Sequence, residues 1–305
     1  VLYWPRPPQP PDVLPLDKVV HLVVFGAVAW AGRRTGLPGR PLLAVLLAHA
    51  LVSEAVQGLL LAGRSGDPVD AVVNLAGAPI AGARWTAARK ADILRSRTGS
   101  TLTIVTSLHP DGRCQRLLNG SAIGYYGDTG IEIVDERSPN GRGFLASVVA
   151  DWEAAAAHSP VPTAFLRTGH VLAQEGGFLA MQRPLFAAGL GGKVGDGRQF
   201  VSWISLADHV RAMAWLLTAE LTGPVNLVAP NPVTNAAFTR AFGSHLNRPT
   251  LLPMPLPLVR LALTSEFVDD ALLSSTRVRP ARLLDAGFHF THAKLGQAFA
   301  ALGDR

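Results

Sequence analysis

From residue 69 onward the chain alternates short apolar runs with longer amphipathic stretches. Buried parallel strands are short and apolar, whereas surface helices repeat their apolar residues with the helical period. We predict strands within residues 71–77, 116–127, 162–172 and 224–229. We predict helices over residues 84–108, 144–158 and 208–220. This alternation predicts an α/β fold with a Rossmann-like, doubly wound parallel sheet, in which ligands bind beyond the carboxyl ends of the strands.

The first 68 residues follow a different pattern. Two apolar stretches, 19–32 and 41–63, flank the basic turn RRTGLPGR. The second stretch holds roughly 20 residues, enough to span a bilayer, whereas the first is short for that purpose. Polar residues interrupt both stretches, and ionisable groups inside a membrane are costly. Three interpretations stay open: a membrane-inserted segment, a soluble alanine-rich hairpin whose polar stripe faces water, and a degenerate Rossmann half over residues 19–63 that uses Gly26 and Gly32.

These patterns divide the chain into three regions. We expect a hydrophobic helical segment over residues 1–68, a Rossmann-like core over 69–246, and a small α/β C-terminal domain over 247–305. The proline-rich stretch PTLLPMPLP marks the start of the last region. Because the hydrophobic segment stands where the first strands of a nucleotide-binding sheet belong, we expect the sheet to be incomplete at its N-terminal half.

Composition narrows the class of protein. Apolar residues make up 48% of the 305 residues and charged residues 16%, which is typical of a globular or partly membranous chain. The net charge of +6 comes from dispersed arginines, so we expect no nucleic-acid interface. The single cysteine, Cys114, excludes an internal disulfide and fits the reducing cytoplasm. Membrane association through residues 17–63 stays open. The histidines lack metal-ligand spacing, and we predict no metal site.

Seven motifs follow one another along residues 69–303. They are NLAG (74–77), NGSAIGYYGD (119–128), DWEAAA (151–156), FLRTGHVL (165–172), GLGGKVGDGRQFVSWISLAD (189–208), NLVAPNPVTNAAFTRAFG (226–243) and RVRPARLLDAGFHF (277–290). In this order they make the chain resemble the atypical extended short-chain dehydrogenase/reductases, the NAD-dependent epimerase/dehydratase-like branch with its own C-terminal domain. The resemblance implies a Rossmann-type fold, NADP or NAD as cofactor, and oxidoreductase or sugar-nucleotide-epimerase-like chemistry on a small-molecule substrate.

The candidate binding residues follow the ends of the predicted strands and a glycine-rich segment. The predicted cofactor-binding residues are Asn74, Ala76, Gly77, Gly120, Arg167 and Thr168. Small residues at a strand end let bare backbone approach a ligand, although a plain strand-to-loop turn is the alternative. The predicted substrate-side residues are Lys193, Arg198 and Trp203. The two cations can serve an anionic group, and a solvated loop is the alternative.

Three hydroxyl groups are the predicted catalytic contacts. Ser121 lies in a glycine-flanked turn and matches the family serine that polarises the substrate oxygen. Tyr125 and Tyr126 each offer a phenol for proton transfer. A turn-forming serine and buried packing of the two tyrosines are the alternatives.

The chain departs from the family pattern on the next predicted helix. Short-chain dehydrogenases carry Tyr-x-x-x-Lys there, and the lysine lowers the pKa of the tyrosine so that it can transfer a proton. Phe144 stands in place of the tyrosine, and no lysine follows it. Standard dehydrogenase chemistry is therefore in doubt: either Tyr125 or Tyr126 substitutes, or the domain only binds.

The glycine loop that holds the cofactor diphosphate is also altered. Its best candidate lies in HLVVFGAVAWAGRR (21–34), where Gly26, Ala29 and Gly32 have suitable spacing. Ala29 places a methyl group where backbone should approach phosphate. We therefore expect weak or lost dinucleotide binding.

A second resemblance covers residues 1–77. The segments DKVVHLVVF, SEAVQ and GRSGDPVDAVVNLAG are similar to VanZ-like integral membrane proteins. This resemblance implies a transmembrane fragment joined to the dehydrogenase-like part at DAVVNLAG. The alternative function is accordingly a membrane-tethered or mosaic protein without catalysis.

Overall fold

The computed structural model of the chain describes residues 70–303, with Asp70 described by its backbone alone. The expected hydrophobic helical segment, the proposed membrane contact through residues 17–63 and the candidate phosphate loop at 26–32 lie outside the described residues. Within residues 70–303, no helix combines the length and the apolar character that crossing a bilayer requires.

The elements are numbered here in chain order over the described residues. The strands are β1 (Asp70–Asn74), β2 (Cys114–Ala122), β3 (Ile133–Val134), β4 (Thr163–Thr168), β5 (His170–Leu172), β6 (Phe200–Val201), β7 (Trp203–Ser205), β8 (Gly223–Leu227), β9 (Val233–Thr234) and β10 (Arg277–Val278). The helices are α1 (Ala87–Ser107), α2 (Phe144–Ala157), α3 (Gly177–Ala187), α4 (Leu206–Thr218), α5 (Asn235–His245), α6 (Leu256–Ala262), α7 (Ser265–Phe267), α8 (Ala281–Asp285) and α9 (Leu295–Ala301). A 3₁₀ turn covers Ile123–Tyr126, and a π-helix covers Val268–Leu273.

The main sheet is parallel, with strand order β1-β2-β4-β8. Each of these strands overlaps a predicted strand segment, and α1, α2 and α4 overlap the predicted helices. The pairing places Ser121 of β2 beside Arg167 of β4, and Arg167 beside Asn226 of β8. Asn74 of β1 pairs with Asn119 of β2. Polar residues from four strands therefore meet near the carboxyl ends of the sheet.

Helices cover both faces of this sheet. Alternate side chains of a strand point to opposite faces, so neighbouring Leu117 and Leu118 belong to two different apolar clusters. Leu118 packs with Ala212 and Leu216 of α4, whereas Leu117 packs with Val105 of α1. This arrangement confirms the prediction of a Rossmann-like α/β fold with a parallel sheet.

The C-terminal segment of the described chain is tied to the sheet domain by buried polar contacts. Strand β10 pairs with β3, which lies in the loop between β2 and α2. The carboxylate of Asp208, at the start of α4, accepts hydrogen bonds from the amides of Thr291 (3.0 Å) and His292 (2.8 Å). The carboxylate of Asp270, in the π-helix, accepts one from the amide of Phe144 at 2.7 Å. The π-helix is thereby fixed to the N-terminus of α2, where backbone amides favour a negative charge.

Candidate functional site

A cavity of about 310 Å³ lies at the carboxyl ends of β2 and β4. The sheet contributes Ala122 and Thr168, helix α2 contributes Val149 and Trp152, and the π-helix contributes Asp270. Cavities of roughly 300–1,000 Å³ with apolar walls and a few polar groups commonly bind small molecules. The cavity stands at the edge where doubly wound sheets bind their ligands.

The turn after β1 rests on a buried amide. The Nδ2 atom of Asn74 donates to Thr101 Oγ1 at 3.0 Å and to Asn119 Oδ1 at 2.7 Å. Its Oδ1 atom accepts from the amide of Ala76 at 3.1 Å, which fixes the course of the chain. The residues from Leu75 to Gly77 are exposed. The predicted cofactor wall is therefore a fixed, exposed turn of mostly small residues, with Asn74 buried beneath it.

Gly120 serves packing inside the protein. A Cβ atom at Gly120 would lie 2.7 Å from the indole of Trp152, so no larger residue fits there. The indole Nε1 of Trp152 donates to Thr101 Oγ1 at 2.9 Å, and Trp152 itself borders the cavity. Gly120 is buried and is not part of the cavity wall. Glycine is therefore required at position 120 by the packing of Trp152, and not by the approach of a ligand.

Arg167 and Glu153 form a buried ion pair behind the cavity. Nε and Nη2 of Arg167 donate to the two carboxylate oxygens of Glu153, both at 2.8 Å. The hydroxyl of Ser121 donates to the same carboxylate at 2.6 Å. Burial alone would lower the pKa of Arg167, but the hydrogen bonds and charge of Glu153 outweigh it and raise that pKa. The guanidinium therefore stays charged, and its bidentate contact joins β4 to α2.

Tyr126 extends this network to β8. Its hydroxyl donates to Asn226 Oδ1 at 2.7 Å and accepts from Arg167 Nη1 at 3.0 Å. Burial raises the pKa of Tyr126 to about 12, although the nearby Arg167 opposes the rise. Tyr125 is half-buried, and the Arg167 guanidinium lies 3.5 Å above the centre of its ring. The hydroxyls of Ser121 and Tyr126 thus have protein partners, and none of Ser121, Tyr125 and Tyr126 lines the cavity. Their predicted catalytic roles stay predictions.

At the start of α2, where the short-chain dehydrogenase pattern predicts a tyrosine, the chain has Phe144, and no lysine follows on the helix. Phe144 packs edge-to-face against Trp85, with 5.0 Å between ring centroids, and the Lys90 ammonium lies 4.8 Å from the Phe144 ring centre. Val148, one turn further along α2, is buried in the cavity wall. This part of the wall can exclude water but cannot transfer a proton.

The three predicted substrate-side residues do not line the cavity. Lys193 and Arg198 are exposed, and Arg198 faces Asp196 at 3.9 Å. Trp203 is fully buried, and its indole nitrogen donates to the Asn231 carbonyl at 3.1 Å. Lys193 and Arg198 therefore match the alternative interpretation, a solvated loop. Trp203 is part of the apolar core.

Sequence reasoning missed several cavity residues. Arg97 of α1 and His170 of β5 both line the cavity. The His170 ring packs on Phe178 at 4.2 Å between centroids, and burial lowers its pKa to about 4, so the imidazole is neutral at pH 7. His170 belongs to the motif FLRTGHVL, but the motif does not reveal that its side chain faces the cavity. Glu153, which lies behind the cavity, belongs to DWEAAA, and that motif does not reveal its ion pair. Arg97 belongs to none of the seven motifs.

Comparisons with known proteins place the chain in a family. A model of the NAD dependent epimerase/dehydratase family matches residues 64–228, more than half of the chain. The chain belongs to this family. A domain of unknown function (DUF1731) matches residues 254–302. The predicted resemblance to the epimerase/dehydratase-like branch with its own C-terminal domain is therefore confirmed.

Individual members of the family are also similar. Epimerase family protein Mb2239 of Mycobacterium bovis is 47% identical over 234 residues, which are 75% of this chain and 77% of the relative. The crystal structure of human epimerase family protein SDR39U1 with NADPH has a TM-score of 0.72 at 30% identity, over 79% of this chain and 84% of that chain. A nucleoside-diphosphate sugar epimerase from Corynebacterium glutamicum has a TM-score of 0.60 at 33% identity, over 77% of this chain and 46% of that chain.

The second resemblance finds no support in these comparisons. The epimerase/dehydratase match begins at residue 64 and includes DAVVNLAG (70–77), the stretch that both resemblances shared. The VanZ-like fragment, its transmembrane character and the non-catalytic membrane function that depended on it are all unsupported.

The described part of this family member offers two features at which a dinucleotide would be held. The exposed turn from Leu75 to Gly77 follows β1, and the largely apolar cavity adjoins the ends of β2 and β4. Doubly wound sheets bind their ligands at this edge. The candidate for the amide-rich phosphate loop lies outside the described residues.

Proposed function

We propose that the chain binds NADP or NAD together with a small-molecule substrate at the cavity, and that it acts as an oxidoreductase or sugar-nucleotide-epimerase-like protein of its family. The observation that carries this proposal is the cavity itself, at the carboxyl ends of β2 and β4 and bordered by the π-helix. Membership of the NAD dependent epimerase/dehydratase family supports it, as does the likeness to the human protein with NADPH.

The residues that can hold the cofactor are those at the strand ends. Ala76 and Gly77 offer exposed backbone after β1, and Thr168 lies in the cavity wall after β4. When bound, a nicotinamide supplies hydride acceptance and donation. The apolar wall of α2, with Val148 and Val149, would exclude water from that ring.

We assign positioning roles to the polar network behind the cavity. Ser121, Glu153, Arg167 and Tyr126 satisfy one another and hold the ends of β2 and β4 in register. Among the three predicted catalytic residues, Tyr125 is the one whose hydroxyl has no hydrogen-bond partner within residues 70–303. It therefore remains the candidate proton donor of the three.

We further propose that residues 69–246 form the cofactor-binding core and residues 247–305 the substrate-side domain. The π-helix supports this division because it brings Asp269 and Asp270 to the cavity wall opposite the strand ends. The match of residues 254–302 to a separate family model also supports it.

Calorimetric titration of the full chain with NADPH and with NADH tests the proposed function. We expect saturable heat with at least one cofactor. The variant Val149→Trp places an indole in the cavity from α2. It should weaken cofactor binding roughly tenfold or more, because the indole occupies space that the cofactor needs.

The variant Ser147→Trp is the matched control, since Ser147 is exposed on the same helix and does not border the cavity. It should bind cofactor like the wild type. The proposal fails if neither cofactor binds the wild type, or if Val149→Trp folds and binds as well as Ser147→Trp.

A further inference from the structure

Arg97 brings a cation to the cavity end nearest β1. Its Nη1 atom donates to the carbonyl oxygens of Ala78 (3.0 Å) and Ile93 (3.1 Å), which fix the guanidinium in place. Its Nε and Nη2 atoms donate to no acceptor within residues 70–303. The guanidinium lies 5.2 Å from the ring centre of Trp152, which stabilises the cation without neutralising it.

No carboxylate of the described chain pairs with Arg97. The acidic groups of the cavity wall already have other partners. Asp128 accepts from the amides of Gly130 and Ser275, Asp269 pairs with Arg260 at 2.7 Å, and Asp270 caps α2. The neighbouring cation Arg89 and burial both lower the pKa of Arg97, burial being the larger effect. A half-buried guanidinium without a counter-ion is stabilised by an anion that binds to it, because the anion supplies the missing charge-assisted hydrogen bonds.

Gly77 packs directly against the side chain of Arg97. A Cβ atom at Gly77 would lie 3.1 Å from the Arg97 Cζ atom and 3.3 Å from Nη2, so a larger residue would crowd the guanidinium. Arg97 itself borders the cavity, next to the exposed turn that follows β1. Asn74 holds this turn from below through its bond to the amide of Ala76.

We propose that Arg97 binds a phosphate group of the nicotinamide dinucleotide. This role is assigned by the juxtaposition of a guanidinium fixed through Nη1, two donor nitrogens and a charge without a partner within residues 70–303, and a cavity at the strand ends that Arg97 borders. The inference rests on the proposed function, because it names a residue for the cofactor of the same site. An acidic group of the substrate has the same chemistry as a phosphate, and the experiment separates the two sources.

The experiment measures NADPH affinity by calorimetry and by quenching of tryptophan fluorescence. Arg97→Gln removes the charge but keeps an amide that can donate to the Ala78 and Ile93 carbonyls. We expect its affinity for NADPH to fall roughly tenfold or more, as loss of a charge-assisted hydrogen bond predicts. Arg97→Lys should be intermediate, because it keeps the charge and loses the planar fork. Arg95→Gln, at an exposed position of the same helix, should match the wild type.

Each outcome decides between the claims. If the wild type binds NADPH and a folded Arg97→Gln binds it equally well, the role of Arg97 is overturned and the proposed function stands. If Arg97→Gln keeps NADPH affinity but abolishes binding of inorganic phosphate to the NADPH-loaded protein, the anion belongs to the substrate and the assignment to the cofactor is wrong. If the wild type binds neither NADPH nor NADH, both proposals fail. Should Arg97→Gln not fold, Arg97→Lys decides by the same comparison with Arg95→Gln.

Discussion

Arg167 and Arg97 lie in two neighbouring regions of the molecule, and their pKa values are shifted in opposite directions. Arg167, behind the cavity, is almost fully buried and has a bidentate carboxylate, and its pKa is raised. Arg97, in the cavity wall, is half-buried among carbonyl oxygens and a tryptophan, and its pKa is lowered. A buried cation with its counter-ion joins elements of the fold. Arg97 has no counter-ion within residues 70–303 and borders the cavity, and these two features together support the ligand role proposed for it.

The largest expected effect is on the paired region. Glu153→Ala leaves the Arg167 charge buried without compensation, and we expect it to lower the free energy of unfolding by about 3–5 kcal/mol. Urea unfolding measures this loss. The matched control is Glu266→Ala, which removes a half-exposed partner of Lys90 and should cost less than about 1 kcal/mol.

The double variant Glu153→Leu with Arg167→Met sharpens this test. An apolar pair leaves no unpaired charge, so it should recover most of the stability lost in Glu153→Ala. If Glu153→Ala and Glu266→Ala are equally stable, the ion pair does not hold the sheet to α2 as described.

A smaller effect is expected where the network reaches β8. Tyr126→Phe leaves Asn226 Oδ1 and Arg167 Nη1 without their hydroxyl partner, which should cost about 1–3 kcal/mol of unfolding free energy. Tyr125→Phe removes a hydroxyl without such partners in the described chain and should change stability by less than about 0.5 kcal/mol. Chemical denaturation of the two variants side by side checks the difference. Equal losses would contradict the role given to Tyr126.

The main elements could be predicted from the sequence, because their apolar periodicity is local. The strand at the start of FLRTGHVL and the helix around DWEAAA both appear where the pattern placed them. The registers between strands could not be read in the same way. The contact of Ser121, Glu153 and Arg167 depends on how β2, β4 and α2 pack, and no spacing in the sequence records it.

The site residues show why the chemistry was harder to predict than the fold. A glycine at a strand end can admit either a ligand or a neighbouring side chain. At Gly120 the neighbour is Trp152, and at Gly77 it is the guanidinium of Arg97. Trp203 follows a polar, glycine-rich loop, yet its strand carries it into the core. Local composition cannot distinguish these cases, because the deciding neighbour is distant along the chain.

Hydrogen exchange of the backbone amides, with and without NADPH, tests most directly whether the strand-end cavity is the dinucleotide site. We predict slower exchange on NADPH binding at residues 75–77 and 168–170, which border the cavity or the turn beside it. A second, smaller cavity of about 180 Å³ lies between Arg183 of α3 and Asn247. The amides of the residues that line it should exchange at the same rate with and without NADPH. Protection confined to that second cavity, or NADPH binding without protection at either strand end, would contradict the account.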